Sequence, residues 1–144
     1  MSIWKKNFSL EEVQASRANT LVDHLGIEFC EIGEDFLSAK MPVDHRTHQP
    51  YGIMHGGASC ALAETIASVA ANYCVDNEQY YCVGLEINTS HVKMARSGYV
   101  TGVAKPLHLG QSTQLWEILI HDEKRQLISV SRLRMAVLEK KKPI

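Results

Sequence analysis

His55-Gly56-Gly57-Ala58-Ser59-Cys60-Ala61-Leu62-Ala63-Glu64-Thr65-Ile66-Ala67-Ser68-Val69-Ala70-Ala71 is a helix composed almost wholly of small and apolar residues, with a single carboxylate in its middle. Side chains this small let another backbone approach closely, so the segment is suited to burial. An ionised Glu64 in such surroundings is costly unless it is paired, hydrogen-bonded or given a task. A glutamate taken alone would more often sit on a surface, but the nearly charge-free sequence around this one argues otherwise. At the front of the helix, Gly56 and Gly57 present bare N–H groups at the positive end of the helix dipole. Such an end can hold a carbonyl oxygen as it gains negative charge, with a carboxylate a few turns away to start the chemistry. The combination points to acyl transfer or hydrolysis.

The segments on either side read as strands and turns. The helix should end near Val75-Asp76-Asn77, and four strand-like runs follow, over residues 81–94, 99–105, 112–121 and 127–138. Upstream, Ser9-Leu10-Glu11-Glu12 is a capping box with Phe8 and Val13 as its hydrophobic staple, predicting a short surface helix over about residues 9–18. Residues 25–30 read as a strand and 31–35 as a turn. Leu37, Ala39, Met41 and Val43 alternate with Ser38, Lys40 and Pro42, which predicts a half-buried strand. Residues 44–54 carry Pro50 and Gly52 and form a loop into the helix. Strands gathered after one long helix give α+β: a central helix wrapped by a curved antiparallel sheet of about six strands. Residues 1–144 read as one domain, with a solvated, disordered basic tail over about residues 139–144. Because the helix is apolar around most of its circumference, a sheet on one side leaves part of it bare. A dimer or larger assembly is therefore expected.

Composition narrows the partners. Fifteen basic against sixteen acidic residues give no basic surface for nucleic acid and none drawn to a membrane. No apolar run is long enough to cross a bilayer, and Met1-Ser2-Ile3-Trp4-Lys5-Lys6 lacks the apolar core of a signal peptide. Cys30, Cys60, Cys74 and Cys82 have no C-x-x-C spacing, and Cys60 and Cys74 fall on the apolar helix, so free thiols in a reducing cytoplasm are expected. His45, His48 and His55 are not spaced as a helix-borne ligand pair, and no metal site is expected. His24, His108 and His121 read as surface or rim histidines.

Several phrases then carry a resemblance: Met41-Pro42-Val43-Asp44, Arg46-Thr47, Gln49-Pro50, His55-Gly56-Gly57-Ala58-Ser59, Leu62-Ala63-Glu64, Val83-Gly84-Leu85-Glu86-Ile87-Asn88 and Lys105-Pro106-Leu107-His108-Leu109-Gly110. With Glu64 nine residues after His55, the chain resembles the hotdog-fold acyl-CoA thioesterases from Trp4 to about Leu138. It is most similar to the bacterial branch holding 1,4-dihydroxy-2-naphthoyl-CoA hydrolase of menaquinone synthesis and the proofreading thioesterase of enterobactin synthesis. The resemblance implies that Glu64 is the catalytic carboxylate, either as nucleophile or as general base for water. It implies that the Gly56 N–H donates to the thioester carbonyl, that Gln49 and His55 orient thioester and leaving thiolate, and that Ser68 positions water or the carboxylate. His91 matches a histidine beside the acyl pocket. Gly84, the run His91-Val92-Lys93-Met94 and the run His108-Leu109-Gly110-Gln111-Ser112-Thr113 match coenzyme A contacts, with Lys93 and Arg96 as charges for phosphates. Dimers of dimers, active sites shared between two chains and no cofactor are implied as well. Tyr51, where phenylalanine is frequent, and His48 depart locally from the family pattern. A non-catalytic acyl-CoA-binding module, a hydratase of the same fold and a proofreading hydrolase of aryl carrier-protein thioesters are the competing readings.

Overall fold

The computed structural model describes residues 1–141. In chain order its elements are α1 (Leu10–Ala15), α2 (Leu21–His24), β1 (Glu28–Ile32), β2 (Leu37–Pro42), α3 (Gly56–Tyr73), β3 (Tyr80–His91), β4 (Tyr99–Leu109), β5 (Thr113–Asp122) and β6 (Leu127–Glu139). The six strands form one sheet in the order β1-β2-β4-β5-β6-β3, and every neighbouring pair is antiparallel. The sheet wraps α3, which packs against β2 through β6. This is the α+β arrangement expected from the sequence.

The small residues of α3 explain how closely it sits. Leu62, Ala63, Ile66, Ala67 and Ala70 are fully buried, as are Trp116, Ile118, Ile120, Leu133 and Met135 of β5 and β6. Each large aliphatic side chain so buried contributes about 1.5–3 kcal/mol. Gly102 of β4 is needed for this contact, because a Cβ there would stand 2.7 Å from Ile66 Cδ1. Buried Trp116 keeps its indole proton satisfied by donating to Gln114 Oε1 at 2.8 Å. One side of α3 is not fully covered: Cys60, Ala61, Glu64, Thr65, Ser68 and Asn72 stay half-buried.

The expected boundaries move in several places, each with a local cause. The helix predicted over about residues 9–18 stops at Ala15; Arg17 and Ala18 donate to residues three back, and Asn19 adopts φ +60°. The capping box is present, with Ser9 Oγ accepting from the Glu12 N–H. A second short helix, α2, ends just ahead of the predicted strand over residues 25–30; Leu25 is its C-cap and Gly26 turns at φ +71°, so β1 starts at Glu28. β2 is buried rather than half-buried: Ser38 is only 4% exposed, and Lys40 lies over the Tyr99 ring. α3 ends at Tyr73, with Cys74 as its C-cap. β4 runs past the predicted residue 105 to Leu109 through a bulge at Pro106. Glu139, placed by sequence in the frayed tail, is the last residue of β6, and the Lys140 N–H donates to the Gln79 carbonyl at 2.8 Å. Residues 142–144 of that tail lie outside the described residues.

β3 decides where the site forms. It is the edge strand beyond β6, and its ladder slips between Gly84 and Glu86. The extra residue reverses the alternation of side chains. Before the bulge Cys82 and Gly84 face α3; after it Ile87 and Thr89 do, with Cys60 Sγ donating to Thr89 Oγ1 at 3.3 Å.

Candidate active site

The loop into α3 is braced before the helix begins. Buried Thr47 donates its hydroxyl to the Pro42 carbonyl at 2.8 Å and accepts the Asp44 N–H. Arg46 grips the Asp44 carboxylate, which its side-chain hydrogen bond and backbone N–H pull down to about 2 from 3.8. Because this pKa is depressed in the fold, what the pair contributes is present above the ordinary carboxylate range and lost as pH falls through about 2. The Gln49 N–H donates to the Ile53 carbonyl, and the Tyr51 N–H donates to Gln49 Oε1. With its oxygen so held, Gln49 offers its amide N–H groups outward.

At the helix start, His55 is the N-cap and its Nδ1 accepts the Gly57 N–H at 2.8 Å. The neutral ring therefore carries its proton on Nε2. The Gly56 N–H takes no acceptor among the described residues. His91 packs over this spot: a Cβ on Gly56 would stand 2.9 Å from His91 Nε2, so a larger residue there would push the ring aside. Gln49, Gly56, His91, Val92, Lys93 and Met94 line a cavity of about 450 Å³ together with Ser59 and Met54.

Glu64 opens elsewhere. It lines a larger cavity of about 900 Å³ with Gly57, Cys60, Ser68, Asn72 and Ile87. Its side chain makes no ion pair among the described residues, and its carboxylate lies under the bulge, 3.4 Å from where a Cβ on Gly84 would be. Ser68 shares that cavity one turn later, but its hydroxyl is turned to Met135 Sδ at 3.9 Å, not to the carboxylate. One chain thus brings Gln49, Gly56 and His91 together and sets Glu64 and Ser68 apart from them. His55 stands at the rim, lining neither cavity. The run from His108 to Thr113 spans the end of β4, the turn at residues 110–112 and the start of β5, closed by the Gly110 N–H on the Thr113 carbonyl at 2.9 Å, and it reaches neither cavity within one chain.

Asn72 is the residue that sequence reasoning missed. Its Nδ2 donates to the Ser68 carbonyl at 2.9 Å and the Cys82 carbonyl at 3.2 Å, and its Oδ1 accepts the Cys82 N–H at 2.8 Å. The amide thereby fills the open edge of β3 at Cys82 and pins the strand to α3 two residues before Gly84. The available signal was its place after Glu64 and Ser68 at spacings of four, a polar stripe on an apolar helix. Asn72→Ala should cost about 1–3 kcal/mol and speed amide exchange at Cys82 and Gly84 while sparing the β4–β5 core. Unchanged exchange at Cys82 would contradict the pinning.

The remaining chemistry in the region is quiet. Burial pushes the Cys74 thiol up to about 12 and Cys82 up to about 11, so both stay protonated at neutral pH. All four cysteines are free. Among the described residues no three His, Cys, Asp or Glu side chains gather as a metal site, and no helix is long and apolar enough to cross a membrane.

Comparison with known proteins supplies the family. Residues 51–129 match the thioesterase superfamily. The chain is 53% identical to 1,4-dihydroxy-2-naphthoyl-CoA hydrolase of Escherichia coli over 94% of its own length and 99% of that protein's. It is 50% identical to the proofreading thioesterase EntH of Cronobacter turicensis, over 94% and 98% respectively. Thioesterase PA1618 of Pseudomonas aeruginosa, solved as a glutamine-to-alanine variant, superposes with a TM-score of 0.95 at 46% identity, covering 96% of this chain and all of that one.

Proposed function

Since this chain belongs to the thioesterase superfamily and is a thioester hydrolase, we propose that it cleaves hydroxylated aromatic acyl-CoA to free acid and coenzyme A, with Glu64 as the catalytic carboxylate. The observation that carries this reading is the half-buried Glu64, without an ion pair among the described residues, held under the Gly84 bulge in a large cavity. The Gly56 N–H and the Gln49 amide hold the thioester carbonyl and stabilise the oxyanion as it forms. Glu64 either attacks that carbon or draws the proton from an attacking water; either course ends in acid and thiol. The Nε2–H of His55 faces the departing sulfur. No cofactor is required, because a thioester is activated enough for a carboxylate and water to open it.

The donors and the carboxylate open on different cavities in one chain, so the complete site takes its Gln49 half and its Glu64 half from two chains. β3 supplies the means of pairing. Its edge is filled at Cys82 by Asn72 but open beyond the bulge, and Val83 and Leu85 beside it are exposed at 40% and 56%. A homodimer through this edge, doubled into a dimer of dimers, places Lys93, Arg96 and the His108–Thr113 turn around a coenzyme A. The free thiols suit the cytoplasm. Likeness to the E. coli protein named 1,4-dihydroxy-2-naphthoyl-CoA hydrolase supports that thioester as the substrate of this chain, and with it the proposed place in menaquinone synthesis. The Cronobacter relative supports a second reading, release of misloaded aryl groups from a carrier protein.

Thiol release over a panel of aromatic, short aliphatic and long aliphatic acyl-CoAs, beside aryl carrier-protein thioesters, tests this. Hydroxylated aromatic acyl-CoAs should show the highest kcat/KM. A carrier-protein preference would move the assignment to proofreading, and binding without thiol release would overturn the hydrolase reading.

A further inference from the structure

The N-terminal segment, which precedes the stretch matched to the superfamily, supplies part of the wall of the Glu64 cavity through Lys6, Ser16, Arg17, Thr20, Leu21 and Val22. Its polar groups are of two kinds. Ser16 Oγ donates to the Val13 carbonyl at 2.8 Å, and Thr20 Oγ1 donates to the Arg17 carbonyl at 2.6 Å. With their protons committed, both hydroxyls present lone pairs. Arg17 and Lys6 supply cationic donors, and neither joins any ion pair among the described residues. Lys6 is stationed over the Tyr73 ring, 5.3 Å from its centre. Glu64 is the only acid lining this cavity among the described residues.

A cation beside acceptor oxygens fits a group that accepts from one and donates to the other. A phenolic hydroxyl does both. A carboxylate would find its oxygens facing lone pairs at Ser16 and Thr20, and an alkyl chain would use none of these solvent-accessible polar groups. Val22, Val69 and Ile87 add apolar surface to the same cavity, beside polar Thr65, Ser68 and Asn72, and that surface suits the face of a ring. We propose that the α1–α2 corner selects the acyl group, with Arg17, Ser16 and Thr20 recognising a ring hydroxyl distal to the thioester. The inference rests on the reading of this cavity as the acyl-binding half of the site.

The test separates the two claims by measuring binding apart from turnover. Calorimetry would compare meta- and para-hydroxybenzoyl-CoA with benzoyl-CoA on the Glu64→Gln protein, with and without Arg17→Met, alongside thiol release by the chain with Glu64 intact. At least one hydroxylated ligand should bind about tenfold tighter than benzoyl-CoA, and Arg17→Met should erase most of that margin while leaving benzoyl-CoA affinity within about threefold. Thr20→Val should narrow the margin as well, by removing an acceptor. A preference that survives Arg17→Met, an equal loss for both ligands, or no binding of either would overturn the assignment. A margin that Arg17→Met removes, in a protein that releases no thiol, would keep it and sink the hydrolase reading.

Discussion

Glu64→Gln should lower kcat on the preferred acyl-CoA by about a thousandfold or more, with little change in binding of the thioester. The two side chains have nearly the same volume and shape, so the α3–β3 contact survives: Gly84 still faces a planar group at the same distance. What is lost is the negative charge, and with it both routes proposed for the carboxylate. A glutamine is a poor nucleophile and a poor base, so neither attack on the thioester carbon nor activation of water remains available. The fold should tolerate the change, because no ion pair among the described residues depends on Glu64. Circular dichroism and calorimetric titration with a thioester check that the loss is chemical. A variant that turns over at the native rate would remove Glu64 from the mechanism.

Gln49→Ala should cost about a hundredfold in kcat, the usual scale for removing one donor to a developing oxyanion. The amide is orientated by the Tyr51 N–H on its Oε1, inside a loop fixed by Thr47, so its outward N–H groups are set before any substrate arrives. Preorganisation of that kind makes the donor effective at the moment charge appears on the carbonyl oxygen, and it is also what the truncation removes. The loop itself should persist, since its backbone bonds from Gln49 to Ile53 and from His55 to Thr47 do not involve the amide side chain. A loss confined to KM, with kcat unchanged, would make Gln49 a binding residue and leave the oxyanion to Gly56 alone.

The sequence was most legible where one kind of residue had one physical consequence. The small-residue run after His55 could only be a close-packed helix, and Ser9 with Glu12 could only cap one. Glu64 stood out because a carboxylate among alanines needs a reason. Its partners came from the family resemblance, since Gln49 and Gly84 carry no chemical signal of their own. What the sequence concealed depends on contacts between distant segments. The bulge at Gly84 arises from pairing with β6, so no local alternation announces it, and Asn72 matters only because Cys82 comes to lie beside it. The early stop of α1 is followed by a tightened turn and the positive φ of Asn19, and Arg17 and Thr20 in this stretch line the cavity. Likewise, helix spacing alone could not say that the donors and the carboxylate of one chain open on different cavities.

The central claim, a thioesterase site completed by two chains, is tested most directly by mixing the two inactive variants. Gln49→Ala and Glu64→Gln chains, co-expressed in equal amounts, form mixed dimers in half of the pairings. Each mixed dimer holds one site with both defects and one with neither, so about a quarter of native thiol release should return. Should the co-expressed sample stay as inactive as its parents while size measurements show that mixed dimers have formed, Gln49 and Glu64 would have to act within one chain, and the shared site would be wrong.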